Sequence, residues 1–308
     1  MNQRQRVASG LVVAVVTGSL VLGLAPAALA DDTGSVAKQV ASVVERATGT
    51  EDLAAGAAGS TVTSGEDGQT SVTIPDASTD KAAVTAADGS AVALSLPQTR
   101  NVSGVRAGAG TVVYPDAATG TDLAVQATTD GGARALVTLK NDKAPTTHDF
   151  RLDLPEGTDL VPNEQGGYDI AKHLPAGGTV VMGQVDAPWA KDATGKSLPT
   201  HYNLNGTTLT QTVDTANAAF PVVADPKVTW GYVTGTIYFN RGETRSIALG
   251  GGLGATAIAA IPGGITTVVG VTMAAITARA AAAYDRGRCL KIKLPHVYPD
   301  HYAGGYCQ

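Results

Sequence analysis

Aromatic residues are scarce in this chain: three Phe, two Trp and nine Tyr among 308 residues. Cores must therefore be built from Val, Leu, Ile and Ala. Cysteine is nearly absent. Cys289 and Cys307 are the only pair, so a single disulfide connectivity exists. The five histidines form no H-E-x-x-H, and no third His lies near His296 and His301, which excludes the spacing of a zinc protease. There is no Ser nucleophile elbow, and no loop gathers the scattered carboxylates for calcium. Charge is missing altogether from Ser246 to Ala278, a run dominated by Gly, Ala and Thr. These absences leave no catalytic signature: an enzyme is not expected, nor a cofactor, a metal or a nucleic-acid partner.

What is present begins with an export signal over residues 1–30. Arg4 and Arg6 form the positive start, Leu11 to Leu24 the apolar core, and Ala28-Leu29-Ala30 a small-residue cleavage site. The alternative is an uncleaved anchor, for which the apolar core is short. Arg4-Gln5-Arg6 is not a twin-arginine pair. A secreted chain, extracellular or associated with the cell wall, is expected from Asp31 onward. Its charge is uneven: 12 Lys/Arg against 24 Asp/Glu up to Pro226, then 8 against 3 from Lys227 to the end. Either the basic tail meets an anionic envelope surface, or it docks on its own acidic half. In an oxidising compartment Cys289 and Cys307 are expected to pair, closing a loop worth about 3 kcal/mol in the chain-entropy account. A metal site with His296 and His301 is the alternative, but Pro299 interrupts any helical spacing between them.

Hydrophobic periodicity predicts a short helix over Ser35–Ala47, with Val36, Val40, Val43 and Val44 on one side. The Gly/Ser-rich stretch that follows reads as a mobile linker, so residues 31–70 form a helix-and-linker unit. From residue 71 the period changes to two. Val84 and Ala86 lead through Asp88-Gly89 to Val92 and Leu94; Leu123, Val125 and Ala127 lead through Asp130-Gly131-Gly132 to Ala135, Val137 and Leu139. Phe150, Leu152 and Leu154 alternate, and Asn205-Gly206 marks a hairpin with a type I′ turn. The expectation is an antiparallel, sandwich-like β domain over 71–226. His148 and His201 fall on its predicted surface.

The segments GTDLAVQATTDGGARALVTLKN (Gly120–Asn141), FRLDLPEGTDL (Phe150–Leu160), GQVDAPWAKDATGK (Gly183–Lys196) and FPVVADP (Phe220–Pro226) resemble the β-rich module of exported actinobacterial and other Gram-positive proteins. In wall-associated and Rhs-type secreted proteins such a module stands ahead of repeats. The resemblance spans about residues 105–226 and implies an extracellular β scaffold with no active site to carry over. After Pro226 this chain departs from the pattern, with no tyrosine-aspartate repeats but about 82 residues of a different character, so the toxin-delivery role of the larger proteins is not expected to carry over.

Residues 227–308 are expected to form a small α+β unit. A strand over Val228–Phe239 precedes Asn240 and Glu243, a capping-box pair. Helices over Arg241–Ala260 and Ile265–Tyr284 are separated by Pro262-Gly263-Gly264 and make an αα-hairpin, followed by a strand over Leu290–Leu294 and a loop tied back by the disulfide. Gly251, Ala255 and Ala259 fall on one face of the first limb, and Gly270, Ala274, Ala278 and Ala282 on one face of the second. Small residues at this spacing let helices approach closely, in a soluble core or in a membrane. Gly252-Leu253-Gly254-Ala255-Thr256-Ala257 matches a dinucleotide fingerprint only in letters, since it lies inside a predicted helix rather than between strand and helix. Trp189, Trp230, Tyr232, Tyr238 and Phe239 are read as core or sheet-face residues, with glycan stacking as the alternative. The whole suggests an exported, non-enzymatic scaffold or interaction protein contacting an envelope component or protein partner. The alternative is a membrane-active, bacteriocin-like toxin that inserts 246–278.

Overall fold

The computed structural model describes residues 27–65, 68, 70–231, 236–252, 273–293 and 297–308. The chain is mainly β, with antiparallel pairing throughout the described strands. It opens with helix α1 (Ala27–Thr48), which includes the expected cleavage motif at Ala28–Ala30; the rest of the export signal lies outside the described residues. Strand β1 (Leu53–Ala54) follows, then a meander of β2 (Thr61–Ser64), β3 (Thr70–Thr73), β4 (Lys81–Ala86) and β5 (Ala91–Ser95). A second meander comprises β6 (Val105–Ala107), β7 (Thr111–Ala118), β8 (Thr121–Thr128) and β9 (Gly132–Leu139). Strand β10 (Thr147–Asp153) returns to the first meander. Then come β11 (Thr158–Pro162), β12 (Tyr168–His173), β13 (Thr179–Val185), β14 (Ala190–Lys191), β15 (Thr200–Asn205), β16 (Thr208–Val213) and β17 (Val222–Ala224). Strands β18 (Lys227–Trp230) and β19 (Thr236–Tyr238) lead to helices α2 (Arg241–Ala248) and α3 (Met273–Asp285), then to β20 (Cys289–Lys293) and β21 (Tyr298–Tyr302).

Two sheets result. The larger runs β21-β20-β19-β13-β18-β9-β8-β7-β6, with β1 and β17 joining its centre and β11-β12 extending from β13. The smaller runs β15-β16-β10-β5-β4-β3-β2. Val84, Leu94, Phe150, Leu152 and Leu209 of the smaller sheet share one core with Leu123, Val125, Ala135 and Val137 of the larger. The central strands are buried on both faces, because the alternate residues Val113, Ala124 and Leu136 pack under α1 against Ala37, Val40, Ala41 and Val44. Small alanines at Ala37 and Ala41 let the helix lie close to the sheet. Glu45 fastens it there, accepting from the Ala109 amide at 2.7 Å and the Thr111 hydroxyl at 2.8 Å.

Five expectations are corrected by tertiary pairing. The stretch read as a linker supplies β1, paired with β8, and β2, paired with β3. The boundary at Pro226 does not separate two bodies, because β18 lies between β9 and β13 and β19 also pairs with β13. The predicted single strand over Val228–Phe239 is broken after Trp230, where Gly231 adopts φ +138°. The Asn-Gly hairpin forms one residue later than read. Asn205 pairs with Thr208, so Gly206 and Thr207 make the turn, and only Gly206 has positive φ, the pattern of a type II′ turn rather than I′. The tail read as a loop contains β21, paired in register with β20.

The first limb of the expected αα-hairpin also ends early. Asn240 accepts from the Glu243 amide and Glu243 reaches back to the Asn240 amide, forming the anticipated capping box. The helix stops at Ala248, because Gly250 turns left-handed (φ +85°), its amide bonding Ile247 O at 3.0 Å while the Gly251 amide bonds Ser246 O at 2.9 Å. This pair of bonds is a Schellman cap. Gly251 is thus part of a helix stop rather than a packing stripe. Ala255, Ala259 and Gly270 lie outside the described residues. In the described second limb, Ala274 and Ala278 are exposed and Ala282 is half-buried; the buried positions are Ile276, Ala280 and Ala283.

Candidate functional site: a tyrosine cleft beside a buried polar seam

The disulfide Cys289–Cys307 forms and holds the end of the chain against the larger sheet. It anchors the tight turn at Gly304-Gly305, both at positive φ, where the Cys307 amide bonds Gly304 O at 2.9 Å. This turn projects Tyr302 and Tyr306 toward Tyr238 of β19. The Tyr238 and Tyr302 rings meet edge to face, with centroids 5.0 Å apart, and Tyr238 and Tyr306 lie 4.9 Å apart at a 31° tilt.

The facing wall is the turn between β11 and β12. Asn163 organises it, its side-chain oxygen accepting from the Gln165 amide (3.2 Å) and the Gly167 amide (2.9 Å). Gly167 has no room for a side chain, since a Cβ there would strike Val185 O. The turn leaves Glu164 and Gln165 exposed. Together these parts enclose a cleft of about 290 Å³, lined by Glu164, Asp169, Tyr238, Lys291, His301, Tyr302 and Tyr306 among others. A second cleft, of about 360 Å³, lies along the other half of the same turn. It is lined by Gly166, Gly167, Tyr168, Pro188, Thr200, His201 and Tyr202, and shares Pro162 and Asn163 with the first.

Several polar groups of the first cleft are already engaged within the protein. Asp169 accepts from Asn163 Nδ2 (3.2 Å), Gln184 Nε2 (3.3 Å) and the Tyr306 hydroxyl (3.3 Å). The Tyr302 hydroxyl donates to Phe239 O at 3.1 Å. Burial pushes all three tyrosine hydroxyls up in pKa. The Asp169 charge adds to the shifts of Tyr306 and Tyr238, and the neighbouring Tyr238 and Glu243 to that of Tyr302. The rings are therefore neutral, fixed surfaces over the physiological pH range.

Behind the second cleft runs a buried polar seam between the sheets. Across β15, β16 and β10, Tyr202 pairs with Gln211 and Gln211 with His148. Gln211 Nε2 donates to Trp189 O at 3.2 Å, and the Trp189 amide donates to Asp225 Oδ1 at 3.1 Å. Asp225 Oδ2, Gln211 Oε1 and His148 Nε2 are buried without a protein partner. Burial raises the Asp225 carboxyl well above the usual carboxylate range, helped by the Asp186 charge, and lowers His148. His148, expected at the surface, is 5% exposed because residues 148, 150 and 152 share the inward face of β10.

Of the other residues singled out from sequence, Trp230 and Phe239 are buried, with Trp230 Nε1 donating to Ser90 O at 3.1 Å. Trp189 carries Lys191 Nζ 5.4 Å from its ring centroid. Tyr232 and His296 lie outside the described residues. His301 lies at the cleft and 3.7 Å from Asp300. Among the described residues no group of three or more His, Cys, Asp or Glu is placed to hold a metal. Tyr302, Tyr306 and Asn163 were not identified as site residues from sequence. The clustering of Tyr298, Tyr302 and Tyr306 inside the loop closed by the cysteines, in a chain otherwise poor in aromatics, was the available signal. No protein-family model, curated protein or solved structure matches the chain.

Proposed function

We propose that the protein is an exported, non-enzymatic scaffold of the cell envelope or extracellular space, and that the tyrosine cleft is its ligand-facing surface. The observation that carries this reading is the cleft's construction. Its aromatic surfaces are held by a disulfide and by hydrogen bonds that engage Asp169 and the Tyr302 and Tyr306 hydroxyls, an arrangement suited to binding rather than to proton transfer. A disulfide suits an oxidising compartment, and the resemblance over residues 105–226 points to the envelope. The test is co-sedimentation of the oxidised chain from Asp31 with purified wall and membrane fractions. Retention on wall material that Tyr306→Ala weakens supports the proposal; equal retention of both proteins counts against the cleft.

A membrane-active role is the second reading. Leu249 is 76% exposed and Met273 39% exposed, and they flank the central part of the uncharged run, which lies outside the described residues. No helix among the described residues is long and apolar enough to cross a membrane. Dye release from anionic and neutral liposomes tests this reading. Deleting everything after Pro226 would remove β18 and β19 from within the larger sheet, so the comparison proteins are Leu249→Asp and Met273→Asp. Release by the parent chain that both substitutions abolish would favour insertion over the scaffold role.

A further inference from the structure

The two clefts are not separate features of the surface. Both use Pro162 and Asn163 as a wall; the first continues along Glu164 and Gln165, the second along Gly166 and Gly167. They are consecutive stations along one turn. Each offers tyrosine: Tyr238, Tyr302 and Tyr306 in the first, Tyr168 and Tyr202 in the second. Each also presents an exposed hydrogen-bonding side chain at its rim, Gln165 in the first and His201 in the second.

Charge around the first cleft is of mixed sign. Asp169 is saturated by neutral donors. Asp300 lies 3.6 Å from Lys293 and 3.7 Å from His301. Glu164 and Lys291 bring opposite signs to the lining. An anionic ligand would meet Glu164 and Asp169 and a cationic one Lys291, so the lining gathers no set of like charges that would select an ionic ligand without opposition. An apolar one would cut the exposed Gln165 amide at the rim off from water without giving it a partner, which costs free energy. The combination favours a ligand with an apolar face bordered by hydroxyl and amide groups. A sugar ring has that form: its C–H face can lie against the electron-rich face of a phenol ring, while its hydroxyls exchange hydrogen bonds with amides.

We infer that the paired clefts bind a neutral oligosaccharide laid across the β11–β12 turn, with one sugar against the Tyr238/Tyr302/Tyr306 group and another against Tyr168 and Tyr202. The inference rests on the reading of the cleft as the ligand-facing surface and adds the ligand's chemical class and its extended form. Two linked sites also make a distinct demand. A chain long enough to occupy both gains the second contact as an intramolecular event, so affinity must rise with oligomer length.

The experiment is titration calorimetry of the oxidised chain from Asp31 with neutral β-linked N-acetylhexosamine oligomers, a disaccharide and a longer oligomer, alongside the wall co-sedimentation. The longer oligomer is expected to bind at least about tenfold more tightly, equivalent to about 1.4 kcal/mol. Tyr306→Ala in the first cleft and His201→Ala in the second should each remove most of that advantage. Gln165→Ala, on the exposed rim, replaces Tyr306→Ala as the first-cleft variant if the latter fails to fold. Equal affinity for short and long oligomers would overturn the paired-site inference. Wall retention that depends on Tyr306 without any oligosaccharide binding would overturn the sugar while leaving the cleft as the interaction surface. Absence of both wall retention and sugar binding would overturn the two together.

Discussion

Asp225 is completely buried, and only one of its two carboxylate oxygens meets a protein donor. Its raised pKa means that the native state keeps a proton which the unfolded chain releases near its ordinary value of about 3.8. The native state then binds more protons, and stability falls as pH rises from that value toward the native pKa. Asp225→Asn removes the titration. The variant is expected to gain over the parent by about 1.4 kcal/mol for each pH unit inside that window, read as urea midpoints across a pH series; a pH-independent difference would refute the assignment. His148 acts on the acid side. Its pKa is lowered by burial, so below its ordinary value of about 6.5 the unfolded state takes up the proton first and stability falls as pH falls. His148→Gln should flatten this limb of the same profile. Asp192 steepens the profile at lower pH, its carboxyl held down to about 2 by the Thr194 hydroxyl and by the amides of Ala219, Thr194 and Lys196. The stability it contributes is present above about 3.8 and is lost as pH falls toward 2.

At the scale of single elements, α2 concentrates several functions in eight residues. Glu243 completes the capping box through Oε2 and accepts from the Gly178 amide at 2.8 Å through Oε1, joining the helix start to the β12–β13 turn. Glu243→Ala therefore breaks a cap and a tertiary contact together. It is expected to cost about 2 kcal/mol, against about 1 kcal/mol for Asn240→Ala, both measured by chemical denaturation. At the other end Gly250→Ala must hold φ +85° with a side chain, although no neighbouring atom obstructs it; a cost of about 1 kcal/mol is expected from backbone conformation alone. The disulfide acts on the next element. Replacing both cysteines by serine removes the closure of an 18-residue separation and should lower stability by about 3 kcal/mol. It should also loosen Tyr306 from Tyr238, visible as loss of near-ultraviolet circular dichroism from the tyrosines. An unchanged tyrosine signal would show that β21 alone fixes the cleft.

For the whole molecule, the decisive feature is that strands from both sides of Pro226 interleave. β9 pairs with β8, β17 and β18, and β13 pairs with β12, β18 and β19. Trp230 reaches across to Ser90 in the turn between β4 and β5 of the smaller sheet. A chain ended at Pro226 would expose the edge of β9 that β18 covers and empty the Trp230 position. It is expected to lose cooperative unfolding in calorimetry, whereas the chain from Asp31 to Gln308 is expected to unfold in a single transition. Two independent transitions in the full chain would restore the two-body description. The same interleaving brings the β11–β12 turn beside the disulfide-bound tail, although the two are more than a hundred residues apart in sequence.

Local chemistry was enough to determine the β class, the β4–β5 and β8–β9 hairpins, the capping box at Asn240 and the pairing of two lone cysteines. In each, the signal and its structural consequence lie within a few residues, or, for the cysteines, no other partner exists. The boundaries failed where a distant strand supplied the missing hydrogen bonds. Leu53–Ala54 and Thr61–Ser64 carry little apolar patterning and become strands only because β8 and β3 offer partners; the tail forms β21 because β20 lies beside it. The cleft was illegible for the same reason. Tyr238, Tyr302, Asn163 and Tyr202 show no common spacing along the chain, and only antiparallel registry across the larger sheet, with the smaller sheet packed against it, makes them neighbours.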